Sequence, residues 1–67
     1  MKTDYKKIRR ERVTRGWSQI DLARLIKSHS SLISKIEGGH TNGSPRTIRA
    51  IADALGIPME EFIVSES

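Results

Sequence analysis

The sequence predicts a small all-α fold of five short helices in a single domain over residues 1–67. Apolar residues recur every three or four positions, and glycine or proline marks the ends of most of these segments. No segment shows the strict alternation of a half-buried strand, so no strand is predicted. The chain is long enough for one core, and it contains no cysteine. Its stability must therefore come from helix packing, with a second subunit as a further source.

The first predicted helix runs from Thr3 or Asp4 to Arg15, and Gly16 can adopt the left-handed conformation that ends it. Its apolar residues are sparse, so we expect this helix to cover the core rather than lie inside it. Trp17 follows the helix, and we expect it to fill space in the core.

The second and third predicted helices are close together in sequence. Ser18, followed three positions later by Asp21, is a variant of the capping box that begins helices. The third helix begins near His29 and ends at Gly38-Gly39, and only about three residues separate it from the second. Two short amphipathic helices joined by such a turn, with the small Ala23 where they would cross, predict a helix-turn-helix.

A loop over His40–Gly43 precedes the fourth predicted helix, which begins with Ser44 as its cap and Pro45 in first position. The apolar residues of this helix follow the i, i+3, i+4, i+7 spacing of a buried face. Pro58 begins a short fifth helix, which is predicted to continue to about Ile63.

Charge is distributed unevenly along the chain. Residues 1–35 contain ten Lys or Arg against three Asp or Glu, whereas residues 36–67 contain two against five. This asymmetry is typical of a protein that turns one end toward a polyanion, and a solvated basic helix is the alternative. No apolar run is long enough to span a bilayer, and no signal peptide is recognisable. We therefore expect a cytoplasmic protein without a membrane partner.

One ordered set of residues covers about residues 8–63 without a gap. Its members are Ile8-Arg9, Arg12, Gly16-Trp17-Ser18-Gln19, Leu22-Ala23, Ile26, Ser31, Ile33-Ser34-Lys35-Ile36-Glu37, Gly39, Asn42, Ser44, Thr47-Ile48, Ile51-Ala52, Ala54-Leu55-Gly56-Ile57 and Phe62. In this set the chain resembles the lambda-repressor-like family of Cro/C1-type, or XRE-type, regulators. Two positions depart from the family. Lys27 stands where the family usually has glycine, so it should take a positive φ at a cost of about 1 kcal/mol. Ser28 replaces a usually apolar residue.

The resemblance implies that helix 3 enters the major groove of DNA, with its first residues facing base edges. The residues at these positions are His29, Ser30, Ser31, Ser34 and Lys35. Serine hydroxyls discriminate weakly between bases, whereas Lys35 can reach guanine acceptors or a phosphate. Helix capping by Ser30 and Ser31, and packing by Ser34, are the alternative roles.

Phosphate contacts are expected on both flanks of helix 3. Gln19 begins helix 2, whose positive dipole end should face a phosphate, and the resemblance implies that its side chain braces helix 3. In the loop after helix 3, His40, Thr41 and Asn42 are expected to contact the other flank. The sequence does not indicate which side of helix 1 faces DNA, and the candidates there are Lys6, Arg9 and Arg10.

Two further contacts are expected, one within the chain and one between subunits. The resemblance implies a structural salt bridge between Arg12 and Glu37, and two unrelated surface charges are the alternative. Phe62, Ile63 and Val64 supply apolar surface near the C-terminus and are expected at or near a homodimer interface.

The sequence therefore predicts a DNA-binding transcriptional regulator, by default a repressor, that acts as a homodimer on a palindromic operator in double-stranded DNA. An antitoxin or an adaptor whose main partner is another protein is the alternative. An enzyme is the weakest interpretation, because no set of nucleophile, base and orienting residue is recognisable. No cofactor, metal or small-molecule ligand is expected, since His29 and His40 are isolated and cysteine is absent.

Overall fold

A computed structural model describes residues 2–64. Its elements are, in order, β1 (Lys2–Thr3), α1 (Tyr5–Thr14), α2 (Gln19–Leu25), α3 (Ser30–Glu37), α4 (Pro45–Leu55), a 3-10 helix (Met59–Phe62) and β2 (Ile63–Val64). The first four predicted helices, including the helix-turn-helix pair α2 and α3, are confirmed. The fifth predicted α-helix and the predicted absence of strands are wrong.

The C-terminal segment forms one 3-10 turn and then becomes extended. Ile63 has φ −104° and ψ 123°, which are strand values. β2 pairs antiparallel with β1, with Lys2 opposite Val64, and the backbone N–H of Asp4 donates to the carbonyl of Phe62 at 2.8 Å. The segment is too short to gain much from helical hydrogen bonding, and pairing with β1 satisfies its backbone groups instead.

Local capping begins the helices where the sequence predicts. Asp4 caps α1 with its side chain, and Ser44 caps α4 in the same way. Ser18 and Asp21 form the reciprocal capping box of α2, with bonds of 3.0 and 2.8 Å. Hydrogen bonds from Ser18 hold the pKa of Asp21 below its ordinary value. After α1, Gly16 has φ +74°, the left-handed conformation expected of a helix stop.

The turn between α2 and α3 keeps the geometry that the family resemblance implies. Lys27 has φ +55°, and it is the one non-glycine residue with positive φ within residues 2–64. The backbone N–H of Ser28 then donates to the carbonyl of Ala23 at 2.8 Å, which closes the turn. The positive φ expected at Lys27 is therefore confirmed.

The core lies between the four α-helices and the 3-10 helix. Its buried apolar residues are Ile8, Leu22, Ala23, Ile33, Ile36, Ile48, Ile51, Ala52, Leu55 and Phe62. Trp17 packs against this core, as predicted. No helix within residues 2–64 combines the length and apolar character needed to cross a membrane. Because α3 contributes only one face to the core, its other face is available for contacts outside the molecule.

Candidate nucleic-acid interface

Helix α3 is divided lengthwise into an apolar side and a polar side. Ile33 and Ile36 are fully buried. The opposite side, which we call the α3 polar strip, consists of Ser30, Ser31, Ser34 and Lys35. At 3.6 residues per turn these positions cover a continuous arc of about 140°. Ser31, Ser34 and Lys35 are exposed and Ser30 is half-buried, so the strip presents three hydroxyls and one ammonium group.

The geometry bears on the alternative roles of these serines. His29, not a serine, is the N-cap residue of α3, and it makes no side-chain capping hydrogen bond. Ser30 and Ser31 therefore lie in the first helical turn rather than at the cap. The exposure of Ser34 argues against a packing role. His29 is also exposed, at the N-terminal end of the strip.

The structure brings Arg12 and Glu37 together in a bidentate ion pair. Arg12 Nε donates to Glu37 Oε2 at 2.8 Å, and Arg12 Nη2 donates to Glu37 Oε1 at 2.9 Å. The remaining guanidinium nitrogen, Nη1, donates to the carbonyl of Trp17 at 2.7 Å. Hydrogen bonding to Glu37 raises the pKa of Arg12 despite the opposing effect of burial. The pair links α1 to the C-terminal end of α3 and to the segment that precedes α2.

Gln19 extends this network to the start of α2. Its Nε2 donates to Glu37 Oε1 at 3.3 Å, and its side chain is half-buried. Through Glu37, three helices are held in one arrangement by side-chain bonds. The side-chain carbonyl of Gln19 is an acceptor only, so a phosphate contact at this position would use donor groups of the backbone or the amide nitrogen.

A cleft of about 270 Å³ lies beside this network, and we call it the α1–α3 cleft. Its lining residues are Arg9, Arg12, Gln19, Ser34, Glu37 and Gly38. One wall thus belongs to the α3 polar strip, and another belongs to α1.

The loop between α3 and α4 is held by β1 through a contact that the sequence did not suggest. Asn42 Oδ1 accepts a hydrogen bond from the backbone N–H of Thr3 at 3.1 Å, and the Asn42 carbonyl accepts one from Thr3 Oγ1 at 2.6 Å. Thr3 is only 2% exposed. The sequence suggested Thr3 only as a possible helix cap, and residues 39 positions apart carry no local signal of such a bond.

The same loop passes directly over the core at Gly43. This glycine has φ +70°, and a Cβ atom there would come within 3.2 Å of Ile36 Cδ1 and 3.3 Å of Ile48 Cδ1. A residue with a Cβ atom would therefore have an unfavourable positive φ and would require these isoleucine side chains to shift by a few tenths of an ångström. His40, Thr41 and Asn42 are all exposed, so the loop presents polar side chains from a fixed backbone.

The three residues predicted near a dimer interface have different surroundings. Phe62 is fully buried in the core of its own chain, which corrects the expectation that its side chain supplies interface surface. It points inward because the 3-10 helix packs against α4 and α1. Ile63 is half-buried opposite Thr3, whereas Val64 is 37% exposed. Within residues 2–64, no group of three His, Asp or Glu side chains is placed to hold a metal ion.

Comparison with known proteins agrees with this geometry. The family model described as Helix-turn-helix matches residues 8–62. Among solved structures, the chain is similar to the restriction-modification controller protein C.AhdI from Aeromonas hydrophila. The two are 33% identical with a TM-score of 0.80, and the match covers 85% of this chain and 86% of that chain. No curated protein matches the chain.

Proposed function

The chain belongs to the helix-turn-helix family of Cro/C1-type DNA-binding transcriptional regulators, and on this basis we propose that it is a repressor that binds a palindromic operator as a homodimer. The observation that carries the proposal is the α3 polar strip, a continuous polar surface on the second helix of a helix-turn-helix. The similarity to a restriction-modification controller protein supports a role in control of gene expression.

In this proposal the α3 polar strip enters the major groove. Ser30 and Ser31 read base edges through their hydroxyls, and Lys35 contacts guanine acceptors or a phosphate. Because hydroxyls both donate and accept, specificity depends on the position of α3 as well as on the serines. The Arg12–Glu37 pair maintains that position, since it joins α1 to α3.

Phosphate contacts on both flanks complete the interface. Gln19 lies at the start of α2, where the positive end of the helix dipole favours an anion. On the other flank, His40, Thr41 and Asn42 offer donor groups from the loop that β1 holds in place. Contacts of this kind position the protein on the duplex without reading its sequence.

A homodimer is proposed because an eight-residue α3 reads only a few base pairs. Two copies related by a two-fold axis would place their α3 helices in successive major grooves, about 34 Å apart. Ile63 and Val64 lie at the C-terminal edge of the fold and would contribute apolar surface to the interface. Occupancy of a promoter by such a dimer would repress transcription by excluding the polymerase.

The test compares affinities for a duplex selected from a random pool with affinities for random duplexes. Ser30→Ala and Ser31→Ala should each weaken selected-site binding by about 1–3 kcal/mol and leave random-site binding almost unchanged. Thr14→Ala, which removes an exposed hydroxyl from α1, is the control and should change neither affinity. An unchanged ratio in both serine variants would show that α3 is not the reading helix. DNA binding that is weak and insensitive to salt would favour a protein-binding adaptor instead.

A further inference from the structure

Two cations of α1, and Arg15 at its C-terminal cap, are bound within the molecule. Lys7 Nζ lies 3.1 Å from Glu61 Oε1 on the 3-10 helix. Arg15 donates to the carbonyl of Leu55 at 2.6 Å and also forms an ion pair with Glu11 of α1. Arg12 forms the buried ion pair already described. These contacts hold α1 against α3, α4 and the 3-10 helix. The other basic residues of α1 are Lys6, Arg9 and Arg10.

The remaining three cations have different surroundings. Arg9 lines the α1–α3 cleft together with Gln19 and Ser34, whereas Lys6 and Arg10 do not. Lys6 and Arg10 line a neighbouring groove on α1, and Arg9 lines that groove as well as the cleft. Arg9 is exposed, and within residues 2–64 it forms no ion pair. It is thus the one cation of α1 that both faces the cleft and is not committed to a partner in this part of the chain.

The charge of the cleft depends on Arg9. The other charged residues in its lining are Arg12 and Glu37, which neutralise each other in the bidentate pair. Glu37 has only 3% of its side chain exposed, so Arg12 rather than solvent satisfies its carboxylate. Ser34 and the exposed backbone at Gly38 add neutral polar groups to the same cleft. A volume of about 270 Å³ is roughly nine times that of one water in the liquid, so a phosphate group fits.

We propose that the α1–α3 cleft binds one phosphate of the DNA backbone and that the guanidinium of Arg9 is its cationic ligand. The inference rests on the proposed function and assigns to DNA a side of α1 that the sequence could not identify. A guanidinium presents parallel N–H donors that match two phosphate oxygens, and it remains charged at any physiological pH. A phosphate bound there would lie between Arg9 of α1 and Ser34 of the α3 polar strip. The contact would therefore fix the position of α3 along the major groove.

The experiment measures DNA affinity as a function of salt for the full chain and three variants. Arg9→Gln removes the charge, Arg9→Lys retains it, and Arg10→Gln is the matched control one position away on the same helix. A protein–phosphate contact contributes about 0.9 to the slope of log K against log salt. The advantage of the wild type over Arg9→Gln should therefore shrink about 3.5-fold between ~50 and ~200 mM salt. The loss should be equal on selected and random duplexes, because a phosphate carries no sequence information.

The outcomes separate this inference from the function on which it rests. Arg9→Lys and Arg10→Gln should keep the wild-type slope, and urea melts should show that all variants are folded. A wild-type slope in Arg9→Gln, or a loss confined to the selected duplex, would overturn the phosphate assignment while leaving DNA binding intact. An equal loss of slope in Arg10→Gln would overturn it too, since a general effect of charge would then explain both. Absence of salt-dependent DNA binding in the wild type would refute the proposed function and this inference together.

Discussion

The Arg12–Glu37 pair should behave as one energetic unit. Its side chains are only 10% and 3% exposed. Two hydrogen bonds of 2.8 and 2.9 Å join the two residues, and each residue has one further hydrogen bond, from Arg12 to the carbonyl of Trp17 at 2.7 Å and from Gln19 to Glu37 at 3.3 Å. Arg12→Ala would leave Glu37 with only the 3.3 Å bond from Gln19, and Glu37→Ala would leave Arg12 with the carbonyl of Trp17. Removing one partner of a buried pair costs about 3–5 kcal/mol, because the other charge is left uncompensated.

That cost is large for a chain of 67 residues, whose total stability should be about 3–10 kcal/mol. If the total lies near the lower end of this range, each single variant should be partly unfolded at 25 °C. The double variant removes both charges, so it should lose less than the sum of the two single losses, by about 2–3 kcal/mol. Arg12 stays protonated below its raised pKa, and melts at neutral pH therefore report the full contribution of the pair.

Urea denaturation followed by circular dichroism measures the coupling free energy between Arg12 and Glu37. The wild type, the two single variants and the double variant are compared in a stabilising osmolyte at one fixed concentration. Lys7→Gln and Glu61→Gln provide a matched cycle, because that pair also joins two elements but has side chains 22% and 51% exposed. The exposed pair should show a coupling below about 1 kcal/mol. Strict additivity of Arg12→Ala and Glu37→Ala would refute the reasoning, since the bonds would then contribute nothing jointly. A coupling equal to that of the exposed pair would show that burial does not strengthen this interaction.

Four other outcomes are expected. Lys27→Gly should raise the free energy of unfolding by up to about 1 kcal/mol in urea melts, because glycine adopts φ +55° without strain; a loss of stability would contradict this. Val64→Asp should give a folded monomer with weakened operator binding in sedimentation and binding assays, and a wild type that is monomeric both free and on DNA would rule out the interface. Thr3→Val should lower the free energy of unfolding by about 0.5–1.5 kcal/mol and weaken binding to all duplexes equally. Thr3→Ser keeps the hydroxyl, so it should retain the wild-type stability and DNA affinity. Wild-type stability with weakened DNA binding in Thr3→Ser would show that this hydrogen bond does not position the loop. Hydrogen bonds from the backbone and the side chain of Ser18 lower the pKa of Asp21, so the stability that this carboxylate contributes is present above its ordinary pKa and is lost as pH falls through the lowered value. Asp21→Asn removes the titrating group, so it should reduce the loss of stability between neutral pH and pH about 3 in acid titrations, and an unchanged loss would contradict this.

The helix starts were predictable because their causes are local. Ser18 and Asp21 are three residues apart and form their box with backbone groups of the same turn. The buried face of α4 follows from the spacing of its own apolar residues, and the turn at Lys27 was located by its place between two periodic segments. The candidate interface residues of α3 were reached through the family resemblance, and in the structure they form the polar complement of the apolar residues of α3.

The Arg12–Glu37 pair was reached only through the family resemblance. Its members are 25 positions apart, and nothing in their local sequence distinguishes them from other surface charges. The packing of α1 across α3 brings their side chains together and buries them. The same packing places Arg9 in the α1–α3 cleft and Arg10 outside it, although the two are adjacent in sequence and chemically identical.

The conformation of the C-terminal segment was determined by tertiary structure alone. Residues 58–63 have a proline start and helical spacing, yet Ile63 becomes extended because β1 lies beside it. Thr3 likewise serves the loop at Asn42 rather than a helix cap, across 39 positions of sequence. Local sequence determines where helices begin and which face of each is apolar, since those bonds close within one turn. Which strand pairs with which, and whether Phe62 faces inward or outward, depends on groups that meet only after the helices have packed.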